Sequence, residues 1–499
     1  MTSSTTALPA DQSIKAPDRL FIGGEWVKAS TDDSLTVVAP ATEEPYARVA
    51  EAREPDIDRA VDAARNAFDN GPWRKLSHRE RGDYVRKLAQ GLADRSGDVA
   101  QTWPNEMGVT HALAQFMTAR TVNTYQNYAD LADSYPFEER RQASAPELTG
   151  IIVREPVGVV AAIIPWNAPV MLICHKLAPA LIAGCTVIIK ASPEAPLAAY
   201  IMAEIAEAAG LPRGVVNVVT ADRQASEHLV RHPGIDKVTF TGSTAAGKRI
   251  ASLLGERVAR YTLELGGKSA AVILDDYDVE QAAATLAGPA CSFSGQVCSS
   301  LTRIIVTQDR QAALVDALAS RFAEIRVGDP FDPASHMGPV AMRRQRDRIE
   351  SLIGAAKAEG ATLAFGGGRP AHLDRGFYIE PTIFCDVDND STIAREEVFG
   401  PVLSVIPARD EADAVRIAND TAYGLNNSVF TNDVDRAYAV ARELRSGTVG
   451  HNGMRMDFGI AFGGFKQSGI GREGHAEGLA TFLETKTLLL CDSPSHLGA

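Results

Sequence analysis

VGVVAAII at residues 157–164 is an unbroken apolar run rich in valine and isoleucine and reads as a buried strand. TVIIK at residues 186–190 reads as a second one. Between them Val170 to Gly184 has helical length and ends on glycine, the residue that accepts a left-handed helix stop. LAAYIMAEIAEAA (residues 197–209) predicts a helix closed by Gly210 and Pro212, then come a strand over Val215 to Thr220, a helix over Gln224 to Arg231 and a strand over KVTFT (residues 237–241). Alternation of this kind builds a parallel, doubly wound α/β sheet.

After Glu264 the alternation resumes. Strands are expected at Ala270 to Leu274, Arg303 to Val306 and Leu403 to Pro407, with helices at Gln311 to Arg326 and Met342 to Glu359. A second α/β domain follows, its boundary near Tyr261 to Gly267. Asp133 to Arg154 and the C-terminal tail fit neither domain. The tail carries TKTLLLC (residues 485–491), an apolar strand without an obvious partner, which subunit association is expected to cover.

The 499 residues carry 50 basic and 63 acidic side chains, net charge −13, without a long basic run, which argues against nucleic acid or an anionic membrane as partner. Met1 to Leu20 is polar, and about eighteen consecutive apolar residues occur nowhere, so a soluble, cytoplasmic protein is expected. The six cysteines are scattered and form no C-x-x-C pair, which disfavours disulfides and a metal site; a special cysteine would act as a thiol.

Four segments carry chemistry. FTGSTAAG (residues 240–247) follows a strand and opens a helix, a setting in which Gly242, Ser243 and helix-terminal N–H groups face an anion, although an ordinary capped helix start has the same form. SGQVCSS (residues 294–300) sets Cys298 in a small, polar environment, unlike the apolar runs around Cys174 and Cys185. LELGGK (residues 263–268) places Glu264 between leucines, where burial would make it a general base and exposure an ordinary surface acid. PWNAP (residues 165–169) fixes the amide of Asn167 in a rigid turn.

Together with HKLAPAL (175–181), IIKASPEAP (188–196), GDPFDP (328–333), EEVFGPV (396–402) and FGGFKQSGIGRE (462–473), these segments resemble the aldehyde dehydrogenase superfamily, in its order and spacing, over nearly the whole chain. The resemblance implies two Rossmann-like α/β domains plus a small β oligomerisation element. Its boundaries are a flexible N-terminus over 1–18, an NAD-binding domain over 19–132 and 155–262, a catalytic domain over 263–475, and an oligomerisation element over 133–154 and 476–499 of a homodimer or homotetramer.

The resemblance also implies a mechanism. Cys298 adds to the aldehyde carbon, the amide of Asn167 and the Cys298 N–H hold the oxyanion, and Glu264 activates the water that hydrolyses the thioester. For the cofactor it implies Trp166, Gly242 and Ser243 at the diphosphate, Lys190, Ser192 and Glu194 around the adenosine ribose, and Glu397 with Phe399 at the nicotinamide, while Lys176 supports the structure. Many relatives carry an acid three residues after the lysine. Here Pro193 holds that place and Glu194 follows it, so NAD is expected with NADP as the alternative.

For the substrate, the resemblance points to Phe116, Arg120, Ala168, Met171, His175, Val297, Ser299 and Phe458, with the loop Met454 to Phe458. This set is largely apolar and favours medium-chain aliphatic or aromatic aldehydes. The rivals are a carboxylate-bearing semialdehyde held by Arg120, a coenzyme A-acylating enzyme, a Cys298–histidine hydrolase and a non-catalytic protein.

Overall fold

Strands Val159–Ile163, Thr186–Ala191, Val216–Thr220, Lys237–Thr241 and Arg260–Glu264 lie parallel in one sheet, as their β-branched runs and intervening helices dictate. The computed structural model describes residues 13–495. The helix expected from Val170 spans Pro169–Ala183 and stops at Gly184, whose φ of 99° only glycine adopts without strain. Arg19–Ile22 and Glu25–Lys28 extend this sheet on one side, and Gly469–Ile470 closes its other edge beside Arg260–Glu264. The segment expected to be wholly catalytic therefore returns to the first sheet.

The second sheet has seven strands, with Ser269–Ile273, Leu301–Thr307, Thr382–Cys385, Val402–Ala408, Asn426–Phe430 and Thr448–His451 parallel and Thr362–Phe365 antiparallel at the edge. Each sheet is covered on both faces by helices, which divides the apolar interior into separate clusters on its two sides. Among the described residues no helix is long and apolar enough to cross a membrane.

The two leftover segments meet. Leu483–Leu490 pairs antiparallel with Thr149–Pro156, which pairs in turn with Glu138–Gln142. The tail strand thus has a partner within its own chain, Leu488 lying opposite Ile151 and Lys486 opposite Val153. Of the expected flexible N-terminus, residues 1–12 lie outside the described residues, as do 496–499 of the tail. Residues 13–18 are docked rather than free: Ile14 is buried and Lys15 pairs with Glu207 at 2.9 Å.

Truncation after Glu484 is expected to unpair Thr149–Arg154 and to cost several kcal/mol, at about 0.5–1.5 kcal/mol for each lost ladder hydrogen bond. Aggregated or inactive protein should result. A soluble, active shortened chain, measured by light scattering and turnover, would contradict this.

Candidate active site

All the functional segments of the first domain hang from one edge of its sheet. Because the strands are parallel, their carboxyl ends fall together, and the crevice outside them is where such sheets bind ligands. Val159–Ile163 leads into Trp166 and Asn167, Thr186–Ala191 ends at Lys190, Lys237–Thr241 runs into Ser243, and Arg260–Glu264 ends on the glutamate. The second sheet meets them with its strand beginnings: Cys298 precedes Leu301–Thr307, and Glu397 and Phe399 precede Val402–Ala408. A cavity of about 1050 Å³ fills the gap between.

Cys298, partly exposed, stands on the cavity wall together with Asn167 and Glu264. Its surroundings push the thiol up to about 12, through burial first and the carboxylates of Glu397 and Glu264 second. It therefore rests as a thiol. Gly267 lets this loop approach closely, since a Cβ there would sit 2.4 Å from the Cys298 carbonyl oxygen. Asn426 donates to the carbonyl of Ser299 at 3.1 Å, and Asn167 Nδ2 to that of Gln296 at 2.9 Å. An amide nitrogen has two hydrogens, so Asn167 keeps one for a ligand. The Cys298 N–H makes no backbone hydrogen bond among the described residues.

Glu264 is 3% exposed, and neither carboxyl oxygen has a hydrogen-bond partner among the described residues. Burial, reinforced by Glu473, holds its carboxyl well above the usual carboxylate range against the opposing charges of Lys176 and Arg472. Lys176 is ion-paired with Glu473 and donates to Thr241 Oγ1 at 2.7 Å.

At the other end of the cavity the helix Thr244–Gly255 begins. Ser243 is its N-cap, accepting from the Ala246 N–H at 3.3 Å. The first helical residues, Thr244 and Ala245, border the cavity, so a diphosphate would meet a helix N-terminus there. Trp166 and Phe399 pack edge to face at 5.3 Å, and Glu397 accepts from the Gly267 N–H at 3.2 Å, its carboxyl raised by burial to about 7. Lys190, Ser192 and Glu194 do not border this cavity. Lys190 is the penultimate residue of Thr186–Ala191, and Ser192 and Glu194 lie on the loop that follows it, where Ser192 and Arg344 both bind the Glu194 carboxylate. Burial lowers the Lys190 ammonium to about 8. The cavity, bordered by the start of a helix, offers a dinucleotide room and phosphate-binding backbone.

The chain belongs to the aldehyde dehydrogenase family. The model of that family matches residues 26–488. Geranial dehydrogenase of Castellaniella defragrans is 42% identical over 94% of this chain and 98% of its own. A Mycobacterium tuberculosis aldehyde dehydrogenase, solved in complex with NAD+, superposes with a TM-score of 0.93 at 43% identity, covering 95% of this chain and 98% of that one. Betaine aldehyde dehydrogenase of Staphylococcus aureus, also solved with NAD+, gives a TM-score of 0.94 at 35% identity over 98% and 97%.

Within this aldehyde dehydrogenase site, Arg120, Ala168, Met171, His175, Val297, Ser299 and Phe458 border the cavity as expected. Phe116 does not. It is 56% exposed with the Arg120 guanidinium over its ring, and the helix His111–Ser134 faces the cavity instead with Leu113, Met117, Thr121 and Thr124. Met456 is tethered, its sulfur accepting from Ser299 Oγ at 2.7 Å. His175 stacks on Phe458 at 4.0 Å, its ring pulled down to about 3 by burial and Lys176. Among the described residues no group of three His, Cys, Asp or Glu residues could hold a metal ion.

Reading the residues by segment missed Gln296, Glu473 and Gly267, although each lies inside a segment already singled out. Asn426 had no local signal at all, since its contact with Ser299 spans 127 positions.

Proposed function

We propose that this enzyme oxidises medium-chain aliphatic or aromatic aldehydes to free carboxylic acids, with NAD+ preferred over NADP+. The observation that carries the reading is a buried Glu264 carboxyl, unpartnered among the described residues, lining the same largely apolar cavity as the Cys298 thiol. Cys298 Sγ adds to the carbonyl carbon as its thiol proton passes to solvent, and the free amide hydrogen of Asn167 with the Cys298 N–H holds the oxyanion. Bound NAD+ supplies the hydride acceptor. Cys298 is left carrying the acyl group as a thioester, and Glu264 takes the proton from the water that attacks it, releasing the carboxylic acid and the thiol. A base beside the thioester favours water over coenzyme A as acyl acceptor.

Several residues support the finer choices. The Glu194 carboxylate, anchored beside Lys190 by Ser192 and Arg344, would oppose a 2′-phosphate. Met117, Met171, Leu172, Val297 and Phe462 supply apolar wall, and the geranial dehydrogenase relative takes its name from an apolar aldehyde. Arg120 borders the cavity but is exposed and stacked on Phe116, so a carboxylate reaching it would gain a solvated, weak ion pair. The three-stranded sheet containing Leu483–Leu490 is the surface through which we expect a homodimer or homotetramer to form, because among the described residues that strand leaves one edge unpaired.

The test follows reduced-cofactor absorbance with hexanal, benzaldehyde and succinic semialdehyde, with NAD+ or NADP+, with and without coenzyme A. Hexanal and benzaldehyde should exceed succinic semialdehyde in kcat/KM by at least roughly tenfold, the scale of one or two apolar contacts. Strong preference for succinic semialdehyde that disappears in Arg120→Ala overturns the substrate reading. A clear NADP+ preference overturns the cofactor reading.

A further inference from the structure

The thiol loop is held by a residue that touches no substrate. The helix Val279–Cys291 ends in a reversal, and Phe293, Ser294 and Gly295 then follow with φ of 53°, 55° and 74°. Three successive left-handed residues, two of them not glycine, persist only where surrounding contacts over-determine them. Here those contacts are identifiable. Ser294 Oγ donates to the carbonyls of Gly338 and Pro339, each at 2.9 Å. Gly295 packs where a Cβ would lie 2.2 Å from the Gly400 carbonyl carbon. Gln296, fully buried, completes the set: its Nε2 donates to the Phe293 carbonyl at 3.0 Å and its Oε1 accepts from the Ala341 N–H at 3.0 Å. Its own carbonyl is the acceptor that holds Asn167 Nδ2 at 2.9 Å. Trp103 Nε1 binds the Asn167 carbonyl from the other side at 3.1 Å and sets its ring 5.6 Å from that of Phe293.

We infer that Gln296 is a positioning residue for aldehyde oxidation, locking the left-handed turn to the segment around Ala341 so that its carbonyl aims the Asn167 amide. The inference rests on the proposed reaction, in which Asn167 holds the oxyanion. An oxyanion donor works only when it is aimed in advance at the position where charge develops, and small displacements of such groups are costly. Asn167 and Cys298 come from different domains, and the Asn167–Gln296 bond joins them directly. Because Gln296 is buried, water cannot replace the hydrogen bonds that its side chain makes.

The test is a double-mutant cycle of Gln296→Met and Asn167→Ala, read as the single-turnover rate of NADH formation with hexanal. NAD+ affinity and melting temperature are measured on each variant. Asn167→Ala should slow the step by about 10²–10³-fold, the usual effect of removing an oxyanion donor. Gln296→Met, similar in volume, should slow it by about 10- to 100-fold, less than outright removal of the donor, with NAD+ affinity retained. Since Gln296 acts through Asn167, the double variant should be no more than a few-fold slower than Asn167→Ala alone.

Effects that multiply, or an unchanged rate in Gln296→Met, overturn the inference. A wild-type rate in Asn167→Ala instead overturns the oxyanion reading itself, whatever Gln296 does. If Gln296→Met does not fold, Gln296→Glu is measured in the same cycle. It keeps an acceptor for Ala341 and loses the donor to Phe293, and the same non-multiplying loss is expected. Absence of folded protein in both variants would make Gln296 a purely structural residue and also overturn the inference.

Discussion

Cys298→Ala should abolish aldehyde oxidation, lowering kcat/KM by more than roughly 10⁴-fold, the scale on which loss of an essential nucleophile is felt. Alanine cannot form the carbon–sulfur bond, and no other thiol on the cavity wall can replace it. Cys291, nearest in sequence, is buried at the end of Val279–Cys291, and its thiol is pushed up to about 12 by burial alone. The fold should survive, because Cys298 is only partly buried and makes no side-chain hydrogen bond among the described residues. NAD+ affinity should survive as well, since the helix start at Ser243 and the Trp166–Phe399 pair are untouched. The measurements are steady-state turnover, NAD+ titration and thermal melting. Turnover within tenfold of the wild type would place the nucleophile elsewhere.

Glu264→Gln should separate the two halves of the reaction. Acylation proceeds, giving a burst of NADH of about one equivalent per active site, and then the thioester stalls because an amide cannot take a proton from water. Steady-state turnover should fall by about 10²–10⁴-fold, the range assigned to a positioned general base. The pH dependence has a definite sign. The base acts only when deprotonated, and its carboxyl is raised by burial and by Glu473. Deacylation is therefore lost as pH falls through that raised value, and the acid limb of kcat should lie well above the range of an exposed glutamate, about 4.3. That limb should be absent in Glu264→Gln. Deacylation at the wild-type rate in the variant would remove Glu264 from this role.

How much of this could be read without the fold depends on how far apart in the chain the relevant contacts lie. A buried strand such as Lys237–Thr241 and a helix stop such as Gly184 are encoded within a few residues, by β-branched runs and by the one residue that accepts a positive φ. The thiol in SGQVCSS, the helix start after FTG and the amide in PWNAP are equally local, and the structure brings all three to one cavity.

Other properties have no local signature. LELGGK is compatible with a surface acid; Glu264 is buried because the chain returns about 200 residues later to close over it with Gly463 and Glu473. Phe116 and Arg120 both lie on the helix His111–Ser134, but which stripe of it faces the cavity depends on its rotation, and one residue turns a side chain by about 100°, which is why Met117 stands where Phe116 was expected. The tail strand finds Thr149–Pro156 in its own chain because antiparallel pairing depends on register between segments that tertiary folding alone brings side by side. The sequence by itself determined the alternation of strands and helices and the family, since these rest on local pattern. The tertiary structure alone decided the burial of Glu264, the residues that wall the cavity and the partner of the tail, since each is set by packing between segments far apart in the chain.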